Sequence, residues 1–215
     1  MKHALPNHDV ASDVLVKRSS QAHGESGHAS ANADSSSNVP VGEGPESVHR
    51  SNWAPMPELD AIVHHPLYVA AMGALDQAER NREFCRHGFD HLSDVARLAW
   101  IETLEHGLNF RRSVVYAAAY LHDVGKARQY ETGDLHEVVG AQIAWQILQD
   151  VEGFSELEKN VIVSAVGQHR HYSDAATPLG RILYIADKAS RPCWRCDARD
   201  RCSWPEEKMN LDLRI

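Results

Sequence analysis

An all-α fold is what the sequence predicts for the chain beyond about residue 58, and three observations carry it. Apolar residues recur at helical spacing in segment after segment, and no stretch alternates apolar and polar as a half-buried strand does. The residues that start and stop helices also stand where those segments begin and end: Pro66, Ser155 with Glu158 three residues on, Pro178 and Pro192. At 215 residues there is room for one core of ordinary size with a tail.

Residues 1–57 are dominated by Ser, Ala, Asn, Gly and His, a composition too poor in large apolar side chains to offset its ordering entropy. The expectation there is a disordered tail with at most a short helical turn around Asp9 to Lys17. A His-rich metal-binding arm is the competing reading. From Pro66 the pattern turns helical. Pro66 suits a first helical position ahead of Leu67, Val69, Ala70, Met72 and Leu75. A second helix begins near Gly88, with Leu92, Val95, Ala96, Leu98 and Ala99 at helical spacing, and closes at His106-Gly107. A third runs from about Arg112 to Asp123, and a turn through Tyr130 to Asp134 follows. The fourth spans about His136 to Gln149. Ser155 and Glu158 form a capping box for the fifth, which reaches about Gln168. Pro178 opens the last main helix, LGRILYIADKASR, and Pro192 ends it. The predicted division is a tail over 1–57, a helical domain over 58–192 and a Cys-rich extension over 193–215 packed on that domain.

The net charge of -8 argues against a general nucleic-acid binder, though a local basic pocket is compatible with it. No apolar run is long enough to span a bilayer. Lys2 is followed by no apolar stretch longer than VLV, so the expectation is a soluble cytoplasmic protein. Oligomeric state leaves no mark on the pattern.

Ionisable groups sit on or beside apolar stripes of different helices. His91 lies one turn before Val95, the doublet His122-Asp123 ends an Ala-rich helix, and Asp187 interrupts the run Ile182 to Ala186. A bare buried carboxylate is costly, and one shared divalent ion accounts for every one of these placements. Mixed imidazole and carboxylate donors suit Mn²⁺, Fe²⁺, Co²⁺ or Ni²⁺ better than calcium or magnesium. His136 opens one helix and His169 follows another. His87 shares a helix face with His91, as surface residue or as participant, and His171 reads as a solvent-facing loop residue.

The order His91, His122-Asp123, Asp187 on a helical frame resembles the HD-domain metal-dependent phosphohydrolases. The words HLSDVARLA, AAYLHDVGK and ILYIADKASR carry the resemblance over roughly residues 60–192. It implies an HD-type helical bundle in which His91, His122, Asp123 and Asp187 coordinate one ion. HDVGK, HEVVGA and QHRH further resemble the two-metal branch, where Asp123 would bridge the ions and His136 and His169 would hold the second. No GYP word follows His169, so the cyclic-dinucleotide phosphodiesterases are not implied. Gly88 replaces the arginine that many nucleotide-splitting relatives carry.

The implied reaction is hydrolysis of a phosphate ester, a nucleotide or a similar small molecule. A divalent ion brings the pKa of a held water to about 7 and polarises a phosphoryl oxygen. Asp123 would orient the water, and Lys126 is the first choice for a cation on the phosphate. Arg191 shares the Asp187 helix face, while Lys188 points elsewhere and Arg170 is a loop candidate. Two alternatives remain at this stage: a non-catalytic HD module that binds a nucleotide signal or a partner protein, and a nucleic-acid-processing protein.

CWRCDARDRC places Cys193, Cys196 and Cys202 in a C-x2-C-x5-C pattern after the Asp187 helix. A shared ion at His91 and Asp187 would bring the helices flanking Cys85 and this cluster together, so Cys85 is the expected fourth ligand. Structural Zn²⁺ is the first choice and a 4Fe–4S cluster, as in the iron–sulfur staple of certain nucleases, the second. Four unlinked thiols are the remaining reading.

Overall fold

The computed structural model describes residues 54–212, and every one of its regular elements is helical. The tail expectation, including the turn near Asp9 to Lys17, falls almost wholly outside the described residues. The elements are α1 (Pro57–His64), α2 (Pro66–Ala78), α3 (Phe89–Glu105), α4 (Arg112–Leu121), α5 (Lys126–Thr132), α6 (His136–Asp150), α7 (Glu156–Gln168) and α8 (Pro178–Ala189). Short 3-10 turns at Cys193–Arg195, Arg199–Arg201 and Glu206–Lys208 follow. No described helix is long and apolar enough to cross a membrane.

Helix α4 is the hub. Every residue from Ser113 to Leu121 except Tyr116 is buried, and α4 packs against α1, α3, α7 and α8. Its run Ala117-Ala118-Ala119 has no side chain beyond Cβ, so neighbouring helices approach closely around its last turn. Leu92, Val95 and Ala99 of α3, Ile162 of α7 and Leu179 and Leu183 of α8 complete the core. Ser155 caps α7 with its hydroxyl accepting from the Glu158 N–H while Glu158 returns the bond, as the sequence predicts.

Three boundaries differ from expectation. Helix α1 precedes the predicted start at Pro66. It has only Leu59, Ile62 and Val63 to bury, too few positions to make a periodic pattern, yet Ile62 is fully buried. The expected turn at Tyr130–Asp134 is instead the end of α5, which stops at Gly133 in the left-handed region (φ 80°). Helix α5 buries no residue, so periodicity could not reveal it. Helix α8 stops at Ala189, so Arg191 lies beyond the helix rather than on its face.

Candidate metal centre

Six side chains from five helix ends and faces meet below the end of α4. His122 and Asp123 occupy the turn after Leu121. A Cβ on Gly125 would lie 2.2 Å from the His136 carbonyl oxygen and 2.6 Å from the Gly140 nitrogen, so only glycine lets this turn press against the start of α6. That contact delivers His136 to the doublet. His91 comes from the first turn of α3, Asp187 from the last turn of α8, and His169 from the C-cap of α7. All six are buried.

The two oxygens of Asp123 face different partners. Oδ2 lies 2.9 Å from His122 Nε2 and 3.5 Å from His91 Nε2; Asp187 Oδ1 lies 3.2 Å from His91 Nε2 and 3.9 Å from His122 Nε2. Oδ1 lies 3.7 Å from His136 Nε2 and 3.9 Å from His169 Nε2. Donors held by one ion at bonds of about 2.1 Å stand roughly 3.0–3.4 Å apart, close to the spacing in both sets.

Proton placement supports the same fit. His122 Nδ1–H donates to the Ala119 carbonyl at 2.6 Å and His169 Nδ1–H to the Val166 carbonyl at 2.7 Å. A carbonyl can only accept, so each ring in its neutral form directs a bare Nε2 lone pair inward, the usual arrangement of a metal-ligating histidine. His122 Nε2 and Asp123 Oδ2 are buried without any hydrogen-bond partner, as is His136 Nδ1. A divalent cation satisfies the first two directly. His91 Nε2 accepts from the Arg191 guanidinium at 2.9 Å, and Arg191 also reaches Asp187 Oδ1 at 3.4 Å. The guanidinium thus occupies the place of a cation beside the first donor set.

Charge is distributed unevenly. Burial raises the Asp123 and Asp187 carboxyls, but the histidines around them, and Lys188 beside Asp187, hold both well below the usual range. Burial lowers His122, yet Asp123 and Asp187 raise it above its ordinary value. Burial and Lys126 push His136 down to about 3, while burial and His122 push His169 down to about 4. Both rings are therefore neutral donors at ordinary pH.

The centre opens into a cleft of ≈ 990 Å³. Arg82, Lys126, Arg170 and Lys188 supply cations to its wall, and Tyr172, Tyr184, Trp194 and Trp204 supply aromatic faces. Burial lowers the Lys126 ammonium, opposed by the nearby Asp123 and Asp187 charges. Arg170 is held by both oxygens of Glu137 at 3.2 Å. The expectation that Lys188 points elsewhere is corrected: its ammonium bonds Asp187 Oδ2 and sits 5.3 Å from the Tyr184 ring centroid, because α8 ends one residue later and the side chain folds back. His171 is exposed, as expected, and lines the cleft.

Sequence reasoning missed a buried dyad. His87 Nδ1–H donates to Glu79 Oε1 at 2.5 Å, and the His87 backbone N–H donates to Glu79 Oε2 at 2.8 Å. Tyr130 donates its hydroxyl to the same carboxylate at 2.7 Å. Burial raises Glu79, but His87 and Tyr130 outweigh it and bring the carboxyl to about 2. Glu79 ends α2 among charged residues, so nothing in its local pattern marks it as buried. Cys85, Cys193 and Cys202 line a second cavity next to the cleft, as the packing argument expected for Cys85.

An all-helical frame with three histidines, an HD doublet and a distant aspartate on one buried centre defines an HD-type domain. The HD domain family model matches residues 88–191, and the chain belongs to that family. It is 34% identical to an uncharacterized protein of Clostridium beijerinckii over 74% of this chain and 99% of that protein. It is 31% identical to ribonuclease Y of Mycoplasma mycoides over 51% of this chain, which spans 24% of that relative's length. For ribonuclease Y of Petrotoga mobilis the figures are 33%, 48% and 18%. A crystal structure titled a predicted HD superfamily hydrolase, from an uncultured Thermotogales bacterium, matches with a TM-score of 0.45 and 22% identity over 58% of this chain and 68% of that one.

Proposed function

We propose that the chain hydrolyses a phosphate ester with a nucleotide-like leaving or retained group, using two divalent ions. The observation that carries this reading is the division of Asp123, one oxygen toward His91 and His122 and the other toward His136 and His169. His91, His122, Asp123 and Asp187 would hold one ion, and Asp123, His136 and His169 the other, drawn from Mn²⁺, Fe²⁺, Co²⁺ or Ni²⁺. Bound there, such ions supply Lewis acidity at the phosphoryl group and acidify water for attack.

The chain's own groups do the rest. Asp123 orients the attacking water from the floor of the cleft. Lys126, with Lys188 and Arg170, neutralises charge that develops on the phosphoryl oxygens. Arg191 joins them from the His91 side. The Glu79 carboxylate fixes the His87 tautomer with Nδ1 protonated, which leaves Nε2 as the proton acceptor at the cleft wall. The tyrosines and tryptophans offer faces on which a base can stack, worth roughly 1–3 kcal/mol per base.

Phosphate release from nucleoside mono-, di- and triphosphates with Mn²⁺ present, wild type beside Asp123→Asn, tests the reading. Turnover lost in the variant supports it. Tight nucleotide binding with no turnover in either would replace it with the non-catalytic module. A second reading, cleavage of an RNA phosphodiester, is favoured by the similarity to ribonuclease Y proteins and by the open aromatic and basic wall. End-labelled RNA oligonucleotides separate it from small-molecule hydrolysis.

A further inference from the structure

The four cysteines have no part in that chemistry, yet the fold gathers them. Cys85, in the link between α2 and α3, shares a cavity of ≈ 380 Å³ with Cys193 and Cys202, more than a hundred residues away. Cys196 lies one 3-10 turn from Cys193, its N–H bonded to the Cys193 carbonyl at 3.2 Å. All four are free thiols. Burial raises the Cys85 thiol; Arg191 opposes that, and the other three cysteines add to it.

The segment 193–212 that carries three of them has almost no core of its own. Cys193 and Ala198 are its buried side chains. Its other ties are polar: the Asn210 amide donates to the carbonyls of Lys188 (2.7 Å), Ala189 (3.2 Å) and Arg191 (2.8 Å), Trp194 N–H donates to the Asn210 carbonyl, and Arg201 pairs with Glu83 at 2.6 Å. A lobe this small needs a covalent or metal staple to hold its shape.

We propose that Cys85, Cys193, Cys196 and Cys202 ligate a 4Fe–4S cluster that fills this cavity and pins the lobe to the domain. The open space that the thiols surround favours it over a single zinc ion. Zinc at about 2.3 Å from each sulfur draws four thiolates to roughly 3.8 Å from one another and leaves no space between them. Cys85, Cys193 and Cys202 instead line a shared cavity of ≈ 380 Å³. A cluster interposes its own iron and sulfide, so its thiolates stand farther apart around a cavity. Arg82, Arg191 and Arg201 line that cavity and offset the negative charge of a thiolate-ligated cluster. The Trp204 N–H donates to Cys202 Sγ at 3.5 Å, a bond of the kind that tunes cluster potential. Each thiol releases its proton to solvent on ligation, and iron and sulfide come from outside the chain.

Because Trp194 and Trp204 also line the catalytic cleft, the cluster sets the aromatic wall there; this consequence alone rests on the proposed hydrolase activity. The test is iron, zinc and acid-labile sulfide analysis of the full chain purified without oxygen, with an absorption spectrum. The expected result is about four sulfides per chain and a broad band near 400 nm, lost in Cys196→Ser and kept in Asp123→Asn. Iron in the HD centre brings no sulfide, so the sulfide count separates the sites even if Cys196→Ser fails to fold. A colourless protein with one zinc that Cys196→Ser loses, or one with neither sulfide nor cysteine-dependent metal, overturns the proposal whether or not phosphate is released.

Discussion

Around Asp123 Oδ2 the donors already have a cationic neighbour, since Arg191 bonds His91 Nε2 and Asp187, and Lys188 bonds Asp187 from the other side. Around Oδ1, by contrast, the bare Nε2 of His169 faces His136 Nε2 across 3.1 Å, and both rings are pushed far toward the neutral form. The first half of the centre can keep its charge balanced with a guanidinium in place. The second has two imidazoles and no side-chain cation between them. A guanidinium bonded to the donors can compete for the first half, whereas Lys126 acts on His136 only through its charge.

Asp123→Asn should erase the distinction, because the amide keeps one oxygen but not the negative charge that both halves share. Activity should fall on the order of 10³-fold, as when a charge-stabilising group is removed, and metal analysis should find both ions depleted. On the proposed two-ion reading, His169→Ala should separate the halves, with metal analysis finding one ion fewer than in wild type; an unchanged metal count would break the comparison. Gly125→Ala is expected to drive α6 away from the doublet. Thermal unfolding should show a loss of about 2 kcal/mol or more, with weaker binding in the His136 half than in the His91 half.

A smaller effect belongs to Glu79→Gln. The variant cannot accept the His87 and Tyr130 bonds with full charge, and roughly a 10–100-fold fall in activity is expected with metal content kept. Its pH signature has a definite sign. Glu79 sits at about 2 in the folded chain against an ordinary 4.5, so its contribution to stability is full above about pH 4.5 and lost as pH falls toward 2. Acid unfolding curves of wild type and Glu79→Gln should therefore converge at the low end. Least of all, Arg191→Met should tighten the ion of the first half by a few-fold in a chelator competition, since it removes the competing cation.

How far the sequence could be read follows from what each residue's neighbours reveal. Helices with a buried stripe, such as α3, α6 and α8, announce themselves because polar interruptions at His91 and Asp187 stand out against apolar neighbours. The doublet is legible for the same reason, being buried at the end of an Ala-rich run. Helix α5 has no buried side, so its residues read as a turn. Glu79 and Arg82 lie in a charged segment that local pattern assigns to solvent, and only the return of Tyr130 and His87 in three dimensions buries the carboxylate. The aromatic wall was equally hidden, because Trp194 and Trp204 sit among short irregular turns whose direction no periodicity encodes.

Asn210 has a consequence beyond the lobe it belongs to. Its amide is the latch on the last carbonyls of α8, the helix that presents Asp187. A protease nick in the final segment, more than twenty residues along the chain from Asp187, would leave those carbonyls without their clasp and loosen the helix end that carries that carboxylate. Sensitivity of ion retention to trimming by a carboxypeptidase would register that linkage.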